Sequence, residues 1–164
     1  MVLSWYLWLK FIHVAAVFVF LLSHGASGGA ALILKRQSDL PGRKMLLDFS
    51  WKAQTISTPA LFVVLLSGIA LGFYGSWWGR GWIWIALIIF LALSAGMGYF
   101  SYRFDGARKA AGLPYRAGLR IVAAVPPDAD SLASQIPRLR SRDLAIAGSL
   151  GLAVIVWLML IKPF

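Results

Sequence analysis

The sequence contains no cysteine and no glutamate, and its only acidic residues are six aspartates. The lack of cysteine excludes disulfide bonds, thiolate metal sites and iron–sulfur clusters. Charged residues make up 13% of the 164 residues, about half of the ~25% usual in soluble domains. The sequence also lacks a Walker loop, an HExxH motif and a glycine-rich dinucleotide fingerprint. These absences exclude a disordered chain, a nucleic-acid-binding module and an ordinary cytosolic enzyme.

Apolar residues are in excess instead. They account for 60% of the chain, and the mean hydropathy is +0.76, whereas apolar usage in soluble chains is about 45–50%. Four segments reach the roughly 20 apolar residues that a membrane crossing needs. These predicted spans cover about 3–34, 53–74, 81–102 and 144–161. We therefore predict an all-α fold, an integral membrane bundle of four transmembrane helices that forms one domain over residues 1–164.

The positive charges predict the direction of the spans. Thirteen of the sixteen lysines and arginines lie in two loops, 35–52 and 103–142. The positive-inside rule places these loops in the cytoplasm and both termini outside. The net charge of +10 then reflects membrane topology, and no nucleic acid partner is expected.

The second loop, 103–143, is rich in arginine and is interrupted by prolines. We expect its arginines to attract anionic lipid of the bilayer. Asp130 and Ser131 could cap a short helix that carries Leu132 and Ile136 and lies on the membrane surface. Because the loop itself holds no large apolar cluster, a second domain is not predicted.

Aromatic residues collect at the predicted outer ends of the spans. The residues concerned are Trp5, Trp8, Trp77, Trp78, Trp82, Trp84, Tyr6 and Tyr74. Indole rings favour the membrane interface because they are apolar and carry one polar group. The main interpretation is an aromatic belt, and the alternative is a ligand site lined by tryptophan.

Two histidines, His13 and His24, are the titratable side chains of interest inside the spans, because no aspartate lies in any predicted span. Eleven residues separate them, so on a helix they share one face and lie roughly 16 Å apart along the axis. Each could bind haem or a metal such as copper, but they cannot ligate one ion together. Met97 is predicted at the depth of His24 and is a candidate second ligand. The alternative for each histidine is a hydrogen bond to a neighbouring helix.

Several segments resemble a known group of proteins. The run Tyr6-Leu7-Trp8-Leu9-Lys10-Phe11-Ile12-His13 is similar to the opening "YLWLKxxH" of the CopD/HemJ-like superfamily of small bacterial membrane proteins. Thr58-Pro59-Ala60 and Ser67-Gly68 resemble the second HemJ helix, Gly81-Trp82 resembles the start of the third, and the end Lys162-Pro163-Phe164 is similar too.

The resemblance implies a four-helix membrane protein that binds haem b through His13. HemJ proteins oxidise protoporphyrinogen and carry a functional lysine a few residues after Gly-Trp in the third helix. Here Gly81-Trp82 is followed by Ile83, Trp84 and Ile85, with no lysine. The sequence therefore resembles a branch of the superfamily other than the HemJ oxidases. CopD relatives are implicated in copper uptake, but this chain has no methionine-rich or multi-histidine array.

Three functions follow as hypotheses. The first is a b-type haem or porphyrin protein with a redox or electron-transfer role, in which His13, His24 and Met97 are the candidate cofactor-binding residues and the two histidines the candidate metal ligands. The second is a cofactor-free accessory subunit of a larger respiratory or photosynthetic membrane complex. Small-residue pairs such as Gly25 and Gly29 would let it pack against a partner or form a homodimer. The third is a copper permease-like protein.

Overall fold

A computed structural model describes the backbone from Val2 to Phe164 and the side chains from Trp5 onward. Five α-helices and one short hairpin form the fold. In chain order they are α1 (Val2–Ile33), α2 (Leu40–Tyr74), α3 (Gly81–Ala110), the antiparallel strands β1 (Tyr115–Ala117) and β2 (Arg120–Val122), α4 (Ala129–Gln135) and α5 (Ser141–Ile161). Helices α1, α2, α3 and α5 are long and apolar enough to cross a membrane. The predicted all-α bundle of four membrane helices is confirmed.

The bundle has two chemically different ends. The start of α1, the turn between α2 and α3, and the end of α5 lie at one end, which we call the aromatic end because most of the tryptophans are there. The α1–α2 loop and the segment 103–142 lie at the other end, which we call the basic end.

The long helices associate as two pairs. Helix α1 packs along α2, and α3 packs mainly on α5, while contacts between the pairs are fewer. The face of α2 that is buried repeats every three or four residues and is made largely of small side chains: Ala53, Ser57, Ala60, Val64, Ser67 and Leu71. Small residues of this kind let two helix backbones approach closely. Helix α2 thus packs mainly on α1, and α3 packs mainly on α5, although a short turn joins α2 to α3.

Helix α2 begins at Leu40, well before the predicted start near residue 53, because local capping rather than hydropathy decides where it starts. The carboxylate of Asp39 accepts a hydrogen bond from the backbone N–H of Gly42 at 2.8 Å, and Pro41 occupies the first turn. A consequence is that Pro59 lies inside the helix. Helix α3 likewise continues to Ala110, beyond the predicted end at 102.

The predicted surface helix is present as α4, but its surroundings differ from the prediction. Its N-cap is Asp128, which accepts from the Ser131 backbone N–H at 2.9 Å, rather than Asp130. Leu132 and Ile136 are only 1% and 5% exposed. They belong to a buried cluster that also contains Leu34, Leu47, Ala107, Ala110, Ala111 and Leu139. The apolar face of α4 therefore covers the basic ends of α1, α2 and α3 instead of facing lipid.

Candidate functional site

Two cavities lie between the helix pairs, one in each half of the bundle. The aromatic-end cavity has a volume of about 480 Å³ and is lined by α1, α2, α3 and α5, which places it within the range of about 300–1,000 Å³ typical of small-molecule sites. The basic-end cavity has a volume of about 140 Å³. His13 lines the first cavity and His24 the second. The two histidines are thus assigned to separate spaces.

His13 is held by a specific hydrogen bond between α1 and α2. Its side chain is 8% exposed, and its Nδ1 lies 2.9 Å from Oγ of Ser67, which is 6% exposed. The Ser67 hydroxyl donates to the backbone carbonyl of Val63 one turn earlier. When the single hydroxyl hydrogen of Ser67 is assigned to the Val63 carbonyl, Ser67 accepts from Nδ1–H of His13. This assignment leaves the lone pair on Nε2 for a ligand, which is how ligating histidines are usually oriented by a second partner.

Gly68 gives the imidazole its room on α2. A Cβ atom at this position would lie 3.2 Å from Cε1 of His13 and 3.7 Å from Nδ1. The first distance is shorter than an ordinary van der Waals contact, so any larger residue at 68 would displace the ring. Two neighbouring residues of α2 therefore position His13: Ser67 fixes its tautomer, and Gly68 lets the ring lie against the helix.

The aromatic residues divide into two sets. Trp5, Trp8 and Trp84 are exposed on the outside of the bundle, as an aromatic belt requires. Tyr6, Trp77, Trp78 and Trp82 line the aromatic-end cavity, and Trp82 is only 4% exposed. The exposed set has the position expected of an aromatic belt, and the second set lines a cavity, while a ligand there stays a prediction.

Three polar groups stand out in the otherwise apolar lining of this cavity. Lys10 and Lys162 both contribute to the lining, and Nζ of Lys162 lies 4.1 Å from the ring centroid of Trp77. Nε1 of Trp78 is buried and has no hydrogen-bond partner in the part of the chain that the structure describes. Met159 of α5 also lines the cavity. Sequence reasoning treated these lysines only as topology markers, because their convergence depends on how α1 and α5 pack.

The basic-end cavity brings His24 and Met97 together. The His24 ring is stacked on Phe20, with ring centroids 5.2 Å apart. Its Nδ1 is buried and finds no hydrogen-bond partner among residues 5–164. Ser27 and Ser50 line the same space and share a hydrogen bond of 2.8 Å. The volume of about 140 Å³ is below the lower end of typical cofactor sites, about 300 Å³. The space beside His24 and Met97 is therefore smaller than a porphyrin needs. Their role as ligands stays a prediction.

A buried arginine that the sequence did not single out shapes the basic end. Arg108 is 3% exposed and donates to the carbonyls of Leu47 at 2.8 Å and Pro114 at 2.7 Å. Its guanidinium lies 3.5 Å from the carboxylate of Asp48 and 4.2 Å from the ring centroid of Trp51. Each of the three guanidinium nitrogens thus has a partner within the protein. Arg108 therefore joins α3 to α2 and to the segment after α3, and it is not a ligand site.

The described residues contain no cluster of three or more histidine, cysteine or acidic side chains that could hold a metal ion. No protein-family model, curated protein or solved structure matches this chain.

Proposed function

We propose that this chain is a multi-pass membrane protein that binds haem b or a related porphyrin in the aromatic-end cavity, with Nε2 of His13 as the axial ligand. The observation that carries this proposal is the arrangement of His13. The ring is buried, its Nδ1–H is fixed by Ser67, and the residue lines a cavity of about 480 Å³.

The residues present fit such a group. Valine, leucine, isoleucine and tryptophan side chains from four helices form the walls, and apolar walls suit a porphyrin ring. Because Gly68 has no side chain, the imidazole of His13 fits beside α2. Met159 lines the same cavity and provides a thioether, the partner that raises the potential of a histidine-ligated haem when both bind the iron.

A bound haem would supply one-electron redox chemistry, and the chain would set its conditions. Through the hydrogen bond at Nδ1, Ser67 would keep the His13 ring in one orientation, and His13 would hold the group. The apolar walls exclude water and lower the local dielectric, which tunes a redox potential. These effects support electron transfer or porphyrin handling as the role of the site.

The resemblance to the CopD/HemJ-like superfamily supports the same site. The segment that ends at His13 and the pair Ser67-Gly68 carry this resemblance, and they are 54 positions apart in the chain yet in contact in the structure. The third-helix lysine of HemJ has no equivalent: after Trp82 the cavity lining on α3 continues with Ile83, Ala86 and Leu87. We therefore propose membership in the superfamily without the HemJ oxidase activity.

We further propose a bacterial inner membrane location with the basic end in the cytoplasm and both termini outside. Thirteen of the sixteen lysines and arginines support this direction. Protease added to the cytoplasmic side of inverted vesicles should cut between residues 103 and 142. Cleavage of that segment from the outside would overturn the orientation.

The test of the proposed function is a reduced-minus-oxidised visible spectrum of the protein purified in detergent from cells supplied with haem. Wild type, His13→Ala and His24→Ala are compared, because the second variant removes a histidine from the smaller cavity only. We expect Soret and α bands in the wild type and in His24→Ala, and their loss in His13→Ala. A wild type without bands would refute haem binding, and unchanged bands in His13→Ala would refute the ligand assignment.

A second candidate function is the cofactor-free accessory subunit. The observation that favours it is on α1, where a Cβ atom at Gly25 or Gly29 would meet nothing within 4 Å. These small residues leave room for the close approach of another helix. If they face a partner, Gly25→Leu/Gly29→Leu should reduce the mass of the native complex in mild detergent. An unchanged mass would argue against this candidate.

A further inference from the structure

The aromatic-end cavity has positive charge at its outer part. Lys10 on α1 and Lys162 just beyond α5 both contribute to its lining. Lys10 precedes His13 by three residues, so it lies roughly one helical turn, about 4.5 Å, closer to the aromatic end. Lys162 follows the last residue of α5, Ile161. Two lysines from different helices, both of them exposed, thus contribute to the lining on the side of His13 that faces the aromatic end.

No acidic side chain balances this charge. All six aspartates lie in the half of the bundle toward the basic end: Asp39, Asp48, Asp105, Asp128, Asp130 and Asp143. Within residues 5–164 the ion pairs involve Lys52 and Arg108, both with Asp48. Lys162 has aromatic neighbours, Trp77 at 4.1 Å and Trp82 at 5.9 Å from the ring centroids. Such contacts position an ammonium group but leave its charge unneutralised.

We infer that Lys10 and Lys162 recognise the two carboxylates of a porphyrin, and that the porphyrin is therefore held with its propionate edge toward the aromatic end. This inference rests on the proposed function and goes beyond it by naming the ligand class, a dicarboxylate amphiphile. The opposite edge of the ring, which carries only methyl and vinyl groups, then faces the apolar lining of the bundle interior, where Val17, Val64 and Phe90 contribute. The site selects for free carboxylates and against their esters.

The inference is tested by spectroscopic titration of the detergent-solubilised full chain with haem b and with its dimethyl ester, which carries no charge. Wild type, Lys10→Gln/Lys162→Gln and Arg80→Gln are compared. Arg80 is a matched control, since it is an exposed cation at the same end that does not line the cavity. We expect wild type and Arg80→Gln to bind haem b roughly 3- to 30-fold more tightly than the ester, the range for two partly exposed ion pairs. In the lysine variant this preference should vanish, while the Soret position of the bound haem stays unchanged because His13 is still the ligand.

The outcomes separate the two proposals. If haem b binds through His13 but the ester binds equally well to the wild type, the proposed function stands and the recognition of carboxylates is refuted. The same result would indicate that the lysines serve lipid headgroups instead, because a lipid role predicts no difference between acid and ester. If neither compound gives a Soret band with the wild type, both proposals fail.

Discussion

The hydrogen bond between His13 and Ser67 can be measured without any cofactor. A double-mutant cycle with His13→Ala, Ser67→Ala and the double variant isolates the energy of this pair from the loss of packing that each single change causes. We expect a favourable coupling of about 1 kcal/mol in the free energy of unfolding, because the bond joins α1 to α2.

The magnitude follows from the geometry. Interhelical hydrogen bonds in membrane proteins contribute about 0.6 kcal/mol on average and up to about 1.7 kcal/mol. The His13–Ser67 distance is 2.9 Å and both side chains are buried, so the bond should fall in the upper half of that range. In the Ser67→Ala variant the Nδ1–H of His13 loses its acceptor and stays in an apolar setting, which is where most of the coupling arises.

The assay is reversible unfolding in mixed micelles, followed by far-UV circular dichroism. The pair Ser27 and Ser50 provides a matched control, because it also joins α1 to α2 through a 2.8 Å hydrogen bond but is only partly buried. Its coupling should be smaller, and the crossed cycle His13 with Ser50 should give none, since these residues do not touch. A His13–Ser67 coupling within error of zero would refute both the tautomer assignment and the role of Ser67 at the site.

Three further predictions concern packing and helix ends. Gly151→Ala should lower the free energy of unfolding by about 1–3 kcal/mol, because its Cβ would lie 2.5 Å from Cδ1 of Leu93. The control Gly96→Ala should be neutral or stabilising, because a Cβ there would meet nothing within 4 Å. Equal effects of the two changes in chemical unfolding would contradict the packing of α3 on α5. Arg108→Ala should lower the free energy of unfolding by about 2–4 kcal/mol, because two backbone carbonyls lose their donor. The same change at the exposed neighbour Lys109 should alter it by less than about 0.5 kcal/mol in the same unfolding measurement. The Gly42 backbone N–H holds the pKa of Asp39 below its usual range, so the first turn of α2 should lose stability as the pH falls through that lowered pKa. The amide shift of Gly42 should follow this titration in wild type, and the same titration in Asp39→Ala would mean that another group is responsible.

Much of the fold could be predicted from the sequence because hydropathy is a local property. Four apolar stretches with polar ends must become four helices wherever backbone groups cannot be hydrated. The helix starts were predicted less well. Leu40 begins α2 because Asp39 and Pro41 provide a cap and a suitable first turn, a signal that is present in the sequence but is hidden when only apolar content is used to place a span.

The candidate site could be predicted only in part. His13 is conspicuous as a histidine in an apolar span, but its partner is not, because Ser67 is one serine among many and lies 54 positions away. The equal depth of His24 and Met97 was visible from counting residues along the spans. The size of the space beside them depends on how closely α1, α2, α3 and α5 approach one another, which counting cannot provide.

The sequence by itself determined the number of membrane helices, the segregation of charge between the two ends, and the identity of the few polar groups inside the spans. These depend on composition and on periodicity along one chain segment. The tertiary structure alone decided which helices pair, that Lys10 and Lys162 line the same cavity as His13, and that His24 lies in another. Such contacts arise from the shapes of side chains on helices distant in sequence, as where Leu93 packs against Gly151, and that fit exists only once the helices are packed together.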